Sequence, residues 1–379
     1  MNKKLLAVAI AGVLAAPLAQ AQTANVTLYG RLNLDAEVII NAKQDYAPDA
    51  KQNIYRVSSN SSRFGVKGTE SLGGGLNAIF QIESGVSGDA SGGQFATRET
   101  FVGLQGGWGT MKAGYFLAPY DDLHGIFGNV PTLLTSILAT SGLWSNAGDF
   151  DARVGNSLRY DMPNIAGFTG GVQIGAKDVG NSGTVAQQRR HAYVLSAAGQ
   201  YNNGPISAGL GYEVHNKLRD GTAAYPSLQD QAMTATGAYN FGVIKVGAMW
   251  ERVEYDIGSG GDMKRDMWGI SGTGNLGPGQ YYIAYFKAND GKGSAVDGSR
   301  VFSVTKGPDT GAQMWEVSYT YPLSKRTLLY TGYVMVDNDK NGFYNFGVNP
   351  MNNMCGGNGA ACGDAGKPQG FTAGMVHFF

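Results

Sequence analysis

Histidines are the residues in this chain best suited to acid–base or metal chemistry, because an unperturbed imidazole titrates near neutral pH. The 379-residue sequence has four of them, which are His124, His191, His215 and His377. No two stand at a spacing that suggests metal ligation on one element. The sequence therefore predicts no metal site and no cofactor, although His124 could tune the properties of its own segment with pH.

Nucleophilic catalysis is no better supported than metal binding. It would need a nucleophile with a base in reach, and serines are too common here for one to stand out. The segment GTGNLG, Gly272 to Gly277, matches a dinucleotide-binding fingerprint, but no helix pattern follows it and Pro278 intervenes. These glycines are better interpreted as turn residues. We predict no catalytic residue, and we do not expect an enzyme.

The N-terminus predicts export from the cytoplasm. Lys3 and Lys4 precede an apolar run that ends in small residues at Ala19 and Ala21, so residues 1–21 fit a cleaved secretory signal peptide. No later apolar run reaches the ~20 residues of a membrane-spanning helix. In an oxidising compartment Cys355 and Cys362, seven positions apart in CGGNGAAC, favour a local disulfide over a metal site. We expect residues 22–379 to form a single domain.

The charge of the chain gives no reason to expect nucleic acid as a partner. Lys and Arg together number 29, as do Asp and Glu, so removal of the two N-terminal lysines leaves a formal charge of minus two. Glycine is abundant at 58 residues, and so are aromatics, with 20 Tyr and 16 Phe. Disordered chains are poor in aromatics. The composition therefore indicates many turns and many strands that carry aromatic side chains.

The first strands show how charged residues are positioned. Val26 to Val38 alternates so that Val26, Leu28 and Leu32 share an apolar face, while Arg31, Asn33 and Asp35 share a polar one. Ser62 to Glu70 repeats this design, with Phe64 and Val66 opposite Arg63 and Lys67. Arg31 and Arg63 are thus predicted on the polar faces of two consecutive strands.

Short turns alternate with long polar loops along the whole chain. Tight turns are predicted at 71–75, 106–109, 163–167, 202–205, 240–242, 275–279 and 322–325. Long loops are predicted near 39–58, 84–95, 117–150, 178–190, 215–230, 256–264, 288–312 and 337–369. Seven turns and eight loops imply sixteen strands, and an even count places both termini on the short-turn side.

The recurrence of polar faces distinguishes a membrane barrel from a soluble β-sandwich. A sandwich would have an apolar interior and shorter strands. Here the polar faces recur over more than 300 residues. A closed barrel with a wet interior leaves no free edges and keeps the polar faces in water. The predicted fold class is an all-β, sixteen-stranded antiparallel transmembrane barrel with short periplasmic turns and long extracellular loops.

The chain resembles Gram-negative general diffusion porins of the betaproteobacterial and neisserial type. The residues that carry the resemblance are VTLYGRLNLD, SSRFGVKGTESLGGGLNAIFQIE, RETFVGLQGGWGTMKAGYF, PYDD, RVGNSLRYDMP, YPLSKRT and the terminal HFF. Together and in order they cover the whole chain. The resemblance implies a homotrimer in the outer membrane, in contact with lipid and lipopolysaccharide. It also implies that the terminal strand, ending at Phe379, is recognised by the barrel-assembly machinery.

The resemblance further implies a pore constriction. The third long loop, 117–150, would bend into the lumen and face a row of arginines at Arg31, Arg63, Arg98 and Arg153. Where enteric porins place acids on this loop, the sequence reads HGIFGNVP, with His124 and no acid, so that Asp121 and Asp122 stand only at the loop root. Farther along, Pro131 followed by Leu133, Leu134, Ile137 and Leu138 predicts a helical stretch that needs burial.

The predicted function is a water-filled channel for passive diffusion of ions and small hydrophilic solutes. Four arginines facing two root aspartates predict a weak to moderate anion preference. Three alternatives stay open from the sequence. A substrate-specific channel would need an aromatic track along the lumen. A surface adhesin would have a blocked lumen, and an outer-membrane hydrolase would need a catalytic pair.

Overall fold

The alternating strands of this chain form one antiparallel sheet that closes on itself. The structure is a computed structural model. It describes residues 25–44, 47–90, 95–128, 136–139, 142–144, 150–176, 192–219, 228–258, 261–351 and 366–379. The predicted signal peptide at 1–21, the predicted disulfide between Cys355 and Cys362, and the predicted helical residues Leu133 and Leu134 lie outside these ranges.

The strands are long, as a membrane-spanning barrel requires. In chain order they are β1 (Asn25–Gln44), β2 (Ala47–Ser59), β3 (Arg63–Gly73), β4 (Leu76–Gly85), β5 (Thr100–Gly106), β6 (Gly109–Leu117), β7 (Arg153–Asp161), β8 (Phe168–Ala176), β9 (Tyr193–Asn203), β10 (Ile206–Asn216), β11 (Gln229–Asn240), β12 (Ile244–Asp256), β13 (Asp262–Leu276), β14 (Gly279–Ala288), β15 (Arg300–Val301), β16 (Val304–Thr305), β17 (Ala312–Pro322), β18 (Thr327–Asn338) and β19 (Gln369–Phe378). The short strands β15 and β16 form a separate hairpin.

Two of the strands, β2 and β3, lie end to end along the same neighbour. One part of β1 pairs with β2, beginning at Leu34 opposite Ser59, and the preceding part pairs with β3, ending at Arg31 opposite Arg63. Together β2 and β3 therefore make one barrel strand that is interrupted at residues 60–62. Because β1 also pairs with β19, the described strands close into a sixteen-stranded barrel, which confirms the predicted fold class.

Burial on the two faces is the reverse of that in a water-soluble sheet protein. On β1 the apolar residues Val26 and Leu28 are 59% and 60% exposed, whereas Asn33 and Glu37 are 0% and 1% exposed. The apolar face thus points outwards, where hydrocarbon would cover it, and the polar face points into the barrel. Alternation along the sequence had assigned both faces of this strand.

Connections between strands are short at one end of the barrel, and most of those at the other end are longer. The predicted loop near 39–58 is a correction to the sequence analysis, because β1 extends to Gln44 and β2 begins at Ala47. Backbone pairing between these two strands continues the ladder through a polar segment whose composition favours a loop. No helix in the described ranges is long and apolar enough to cross a membrane.

The described residues of the longest connection, 117–150, lie inside the barrel. It begins with a 3₁₀ turn at Pro119–Leu123 and a single α-helical turn at His124–Phe127. The described part of the predicted helical stretch, residues 136–139, forms a turn and not a helix. Its residues Ile137 and Leu138 are nevertheless fully buried, in one cluster with Phe286 and Val334 of the barrel wall.

Candidate functional site

Arg31 lies on the inward face of β1, and a break in the neighbouring barrel strand fixes its guanidinium group. Its Nε donates a hydrogen bond to the carbonyl oxygen of Ser61 at 3.2 Å, and its Nη2 donates to that of Asn60 at 3.3 Å. Both acceptors belong to the interruption between β2 and β3, where Ser61 has a positive φ of 54°. The irregular backbone therefore supplies carbonyl groups that a continuous ladder would have used internally.

Arg63 and Arg98 are held by a shared carboxylate that the sequence analysis did not assign to the site. The Nε of Arg98 donates to Oε1 of Glu83 at 2.6 Å, and the Nε of Arg63 lies 3.6 Å from Oε2. The hydroxyl of Tyr29 also donates to Oε2 of Glu83, at 2.9 Å. Glu83 is 5% exposed and pairs across the ladder with Gly65, two residues after Arg63. The register between β3 and β4, which cannot be read from the sequence, places Glu83 close to Arg63.

Arg153 extends the row at the first position of β7. The charged groups that influence it include Arg98, Glu99 and Glu83. Among the described residues, its Nε is a buried donor with no hydrogen-bond partner. Arg31 in turn is influenced by Arg63 and Arg98. The four predicted arginines are thus within electrostatic range of one another, together with the carboxylates of Glu83 and Glu99.

The insert at 117–150 packs on the inner wall next to glycines. A Cβ on Gly211 would lie 2.7 Å from Cδ1 of Leu123, and a Cβ on Gly209 would lie 2.6 Å from the other methyl group of Leu123. Farther along, the same relation links Leu138 to Gly332 at 2.8 Å and Ile137 to Gly370 at 3.0 Å. Glycine is needed at these positions because any side chain would occupy the space that the insert fills.

Polar contacts fasten the same insert at several points. The hydroxyl of Tyr120 donates to Oε1 of Glu251 at 2.9 Å, and Oγ of Ser271 donates to the carbonyl of Phe127 at 2.8 Å. Nη1 of Arg265 donates to the carbonyl of Leu143 at 2.7 Å. Arg265 and Glu251 are both 0% exposed and form an ion pair with each other. The sequence analysis did not identify this pair, because neither residue stands out from the other charges on the strands.

The two root aspartates have different surroundings. Asp122 forms an ion pair with Arg159, whose Nε also donates to Asp161 at 2.7 Å. Burial raises the pKa of the Asp122 carboxyl, while Arg159 lowers it. Burial also raises the pKa of Asp121 well above its usual value, and the nearby carboxylates of Asp151 and Asp122 raise it further. Asp121 lies within electrostatic range of Arg153, whereas Asp122 forms its ion pair with Arg159.

His124 lies in the interior of the insert. It is 4% exposed, and the centre of its ring is 4.0 Å from that of Trp144. Burial lowers the pKa of its imidazole to about 4. The ring is therefore neutral at physiological pH, and its Nδ1 lies 3.6 Å from Oδ1 of Asp121.

Comparisons with known proteins agree with this architecture. A family model described as Gram-negative porin matches residues 6–341. Outer membrane porin protein 32 of Delftia acidovorans is 29% identical over 350 residues, which are 89% of this chain and 90% of that protein. Major outer membrane protein P.IB of Neisseria gonorrhoeae is 33% identical over 190 residues, covering 48% of this chain and 50% of that protein.

A solved structure has the same fold. The anion-selective porin from Comamonas acidovorans superposes with a TM-score of 0.72 at 24% identity, covering 94% of this chain and all of that one. Because the family model spans most of the sequence and the barrel, its inward insert and its polar lumen are all present, this chain belongs to the Gram-negative porin family.

Proposed function

We propose that this porin is a general diffusion channel with a weak to moderate preference for small hydrophilic anions. The observation that supports the preference is the charge along one wall. Arg31, Arg63, Arg98 and Arg153 share that wall with two carboxylates, Glu83 and Glu99. A passing solute would therefore meet a wall on which arginines outnumber carboxylates.

Membership of the family establishes the general activity. The protein is a multi-pass β-barrel of the outer membrane and a diffusion channel through which solutes and ions pass. Its relatives are porins, which are channel proteins and not enzymes. The ion preference, the limiting width and the oligomeric state go beyond this and belong to the proposal.

Guanidinium groups make the positive potential insensitive to pH, because they stay protonated throughout the physiological range. Salt screens charges over ~8 Å at physiological ionic strength. In a lumen that is narrowed to a similar width, a solute cannot move out of range of the wall. Anions would accumulate and cations would be depleted there.

Opposing negative charge on the described part of the insert is weak. Asp122 is paired with Arg159. The raised pKa of Asp121 favours its protonated form, and His124 is buried in the insert and neutral. The transverse field of this pore would therefore come mainly from the arginine wall, which supports a preference of modest size.

A fixed constriction suits passive sieving. Ile137, Leu138 and Trp144 are buried against the barrel wall, and burial of apolar side chains of this size stabilises the insert by ~1.5–3 kcal/mol each. An insert held in this way narrows the lumen without acting as a lid. We expect solutes to be selected by size and charge and not by turnover.

Three further features belong to this proposal. We expect a homotrimer embedded in lipid and lipopolysaccharide, and a single-domain mature protein that begins after residue 21. We also expect recognition of Phe379 by the barrel-assembly machinery. Phe379 exchanges two backbone hydrogen bonds with Gly30, at 3.0 and 3.1 Å, so the last residue takes part in closing the barrel.

Reversal potentials test the central claim. Purified protein would be inserted into a planar lipid bilayer under a salt gradient, and the sign of the zero-current potential would report the preferred ion. We expect a sign that corresponds to anion preference. A clear cation preference would overturn the proposal, and failure of protein-loaded liposomes to admit small sugars would overturn the diffusion-channel assignment.

A further inference from the structure

The hairpin β15–β16 places a strained aromatic residue inside the loop-side mouth of the channel. Val301 pairs with Val304, so Phe302 and Ser303 form a two-residue turn. Phe302 has a φ of 52°, in the left-handed region that favours glycine. A bulky residue in this conformation costs roughly 1–3 kcal/mol, and such outliers concentrate at ligand-binding sites.

Phe302 lines a partly open cavity of about 470 Å³. The opposite lining comes from the loop-side ends of β7 to β11 and includes Arg153, His215, Arg219 and Asp230. Small-molecule sites commonly have volumes of roughly 300–1,000 Å³. The cavity is therefore large enough for a solute of one ring, and it adjoins the arginine wall through Arg153.

Aromatic rings form a continuous wall behind this cavity. The ring centre of Phe302 is 6.2 Å from that of Tyr255, and Tyr255 is 6.2 Å from Phe150. Phe150 stacks on His215 with 4.4 Å between ring centres. Phe302 itself is 45% exposed, whereas Tyr255 and Phe150 are buried, so Phe302 is the member of this wall that presents its ring to a solute.

Among the described residues that line the cavity, one arginine is not held in an ion pair. Arg219 is engaged by Asp230, with its Nη2 donating to Oδ1 at 2.5 Å. His215 is hydrogen-bonded through Nε2 to Oε1 of Glu213 at 2.7 Å. Arg153 lines the cavity and makes no ion pair within 4.0 Å with a described carboxylate, although Asp121 lies within electrostatic range of it. Glu99 and Glu83 influence it from a longer range.

We propose that this cavity is a transient binding subsite for organic monocarboxylates with an aromatic or similarly planar apolar body. The carboxylate accepts hydrogen bonds from Arg153, and the apolar body packs on the ring of Phe302. An inorganic anion could use the first contact but not the second. The inference rests on the proposed function, because the solute must reach the cavity through the lumen.

Block of ion current tests the proposal. Phenylacetate, added to the bath in chloride, is expected to reduce single-channel current at lower concentrations than acetate does. The test variant is Phe302→Gly, which removes the ring and suits the positive φ, so that folding is preserved. Its half-blocking concentration for phenylacetate should rise about threefold to tenfold, the range expected for loss of one aromatic contact. Block by acetate should not change.

Two controls separate this inference from the channel assignment. Val296→Gly removes an exposed apolar residue of the same loop that does not line the cavity, and it should leave block by phenylacetate unchanged. If wild-type protein conducts chloride but phenylacetate blocks it and Phe302→Gly equally, the subsite is refuted and the channel stands. If acetate blocks as strongly as phenylacetate, an anion site without an aromatic contact replaces the proposal. Absence of conductance would instead refute the proposed function.

Discussion

Arg98 donates a hydrogen bond from its Nε to Oε1 of Glu83 at 2.6 Å. The positive charge of one arginine in the wall is therefore balanced by a carboxylate. The same carboxylate lies 3.6 Å from Nε of Arg63 and accepts a hydrogen bond from Tyr29. Glu83 therefore has two effects. It holds arginines in position, and it reduces the positive potential that they produce.

Glu83→Gln is expected to increase anion preference. The amide keeps hydrogen-bonding capacity but removes one negative charge. A unit charge at ~4 Å is worth about 1 kcal/mol even in bulk water, so we expect the anion-to-cation permeability ratio to rise roughly twofold to fivefold. Reversal potentials in a potassium chloride gradient measure this ratio. An unchanged ratio would show that Glu83 does not influence permeating ions.

Arg31→Gln is expected to shift selectivity towards cations. The hydrogen bonds of Arg31 go to the backbone carbonyls of Asn60 and Ser61, so its substitution leaves the carboxylates of the wall in place. The permeability ratio should fall by roughly twofold to fivefold. Arg326→Gln is the matched control, because Arg326 is exposed in the short turn between β17 and β18. An equal shift in both variants would argue against a local field.

His124 should make the protein less stable in mild acid. Burial lowers the pKa of the folded imidazole to about 4, from a usual value of 6.5. Between these values the unfolded chain binds a proton that the folded chain does not, so the free energy of unfolding falls as pH falls from about 6.5 to 4. The loss amounts to about 3 kcal/mol and is complete below pH 4.

His124→Phe should remove this pH dependence while keeping an aromatic ring against Trp144. Asp121, whose carboxylate is 3.6 Å from His124, titrates with the opposite sign because its pKa is raised by burial. The informative quantity is therefore the difference between wild type and variant. Apparent melting temperatures in detergent at pH 4 and 7.5 provide it, and an identical acid shift in both proteins would contradict the prediction.

Gly211→Ala is expected to displace the insert from the barrel wall. The added Cβ would lie 2.7 Å from Cδ1 of Leu123 and 3.2 Å from Cδ2 of Tyr120, and both side chains are fully buried. Overpacking of this kind costs roughly 1–3 kcal/mol. We expect a lower melting temperature and more open-channel current noise. Gly199→Ala on β9 is the control, because a Cβ there meets nothing within 4 Å.

The barrel could be predicted from sequence because its main signal is local. Polar and apolar residues alternate along each strand, so Arg31 and Leu28 were assigned to opposite faces without knowledge of their neighbours. The number of strands came from the alternation of seven tight turns with eight long loops. It failed at 39–58, where pairing between β1 and β2 maintains strand structure in a segment with polar, loop-like composition.

The site was only partly predictable because its contacts depend on register across the barrel. Glu83 reaches Arg63 through pairing between β3 and β4, and the backbone N–H of Arg98 donates to the carbonyl of Glu83. Alternation along the sequence determines neither contact. The path of the insert depends on glycines such as Gly211 and Gly332, which are indistinguishable in sequence from turn glycines. His124 was predicted at the constriction from its place in the loop, but the sequence does not show that its ring packs on Trp144.

The buried ion pair between Arg265 and Glu251 gives a final prediction about the insert. Arg265 also donates to the carbonyl of Leu143, and Tyr120 donates to Glu251, so one pair of side chains joins two points of the insert to the wall. Arg265→Met would leave Glu251 buried without this partner. Loss of one member of a buried pair costs about 3–5 kcal/mol. We therefore expect a large fall in melting temperature and a less stable current.

A second substitution distinguishes lost pairing from lost packing. Combining Arg265→Met with Glu251→Gln removes the uncompensated charge, so part of the stability should return, although the bond to Leu143 stays absent. Arg252 and Asp266 supply the control, since they form an ion pair on the same two strands but are 35% and 28% exposed. Arg252→Met should cost no more than about 1 kcal/mol. If it costs as much as Arg265→Met, burial of the pair is not what fixes the insert, and the stationary constriction would have to depend on apolar packing alone.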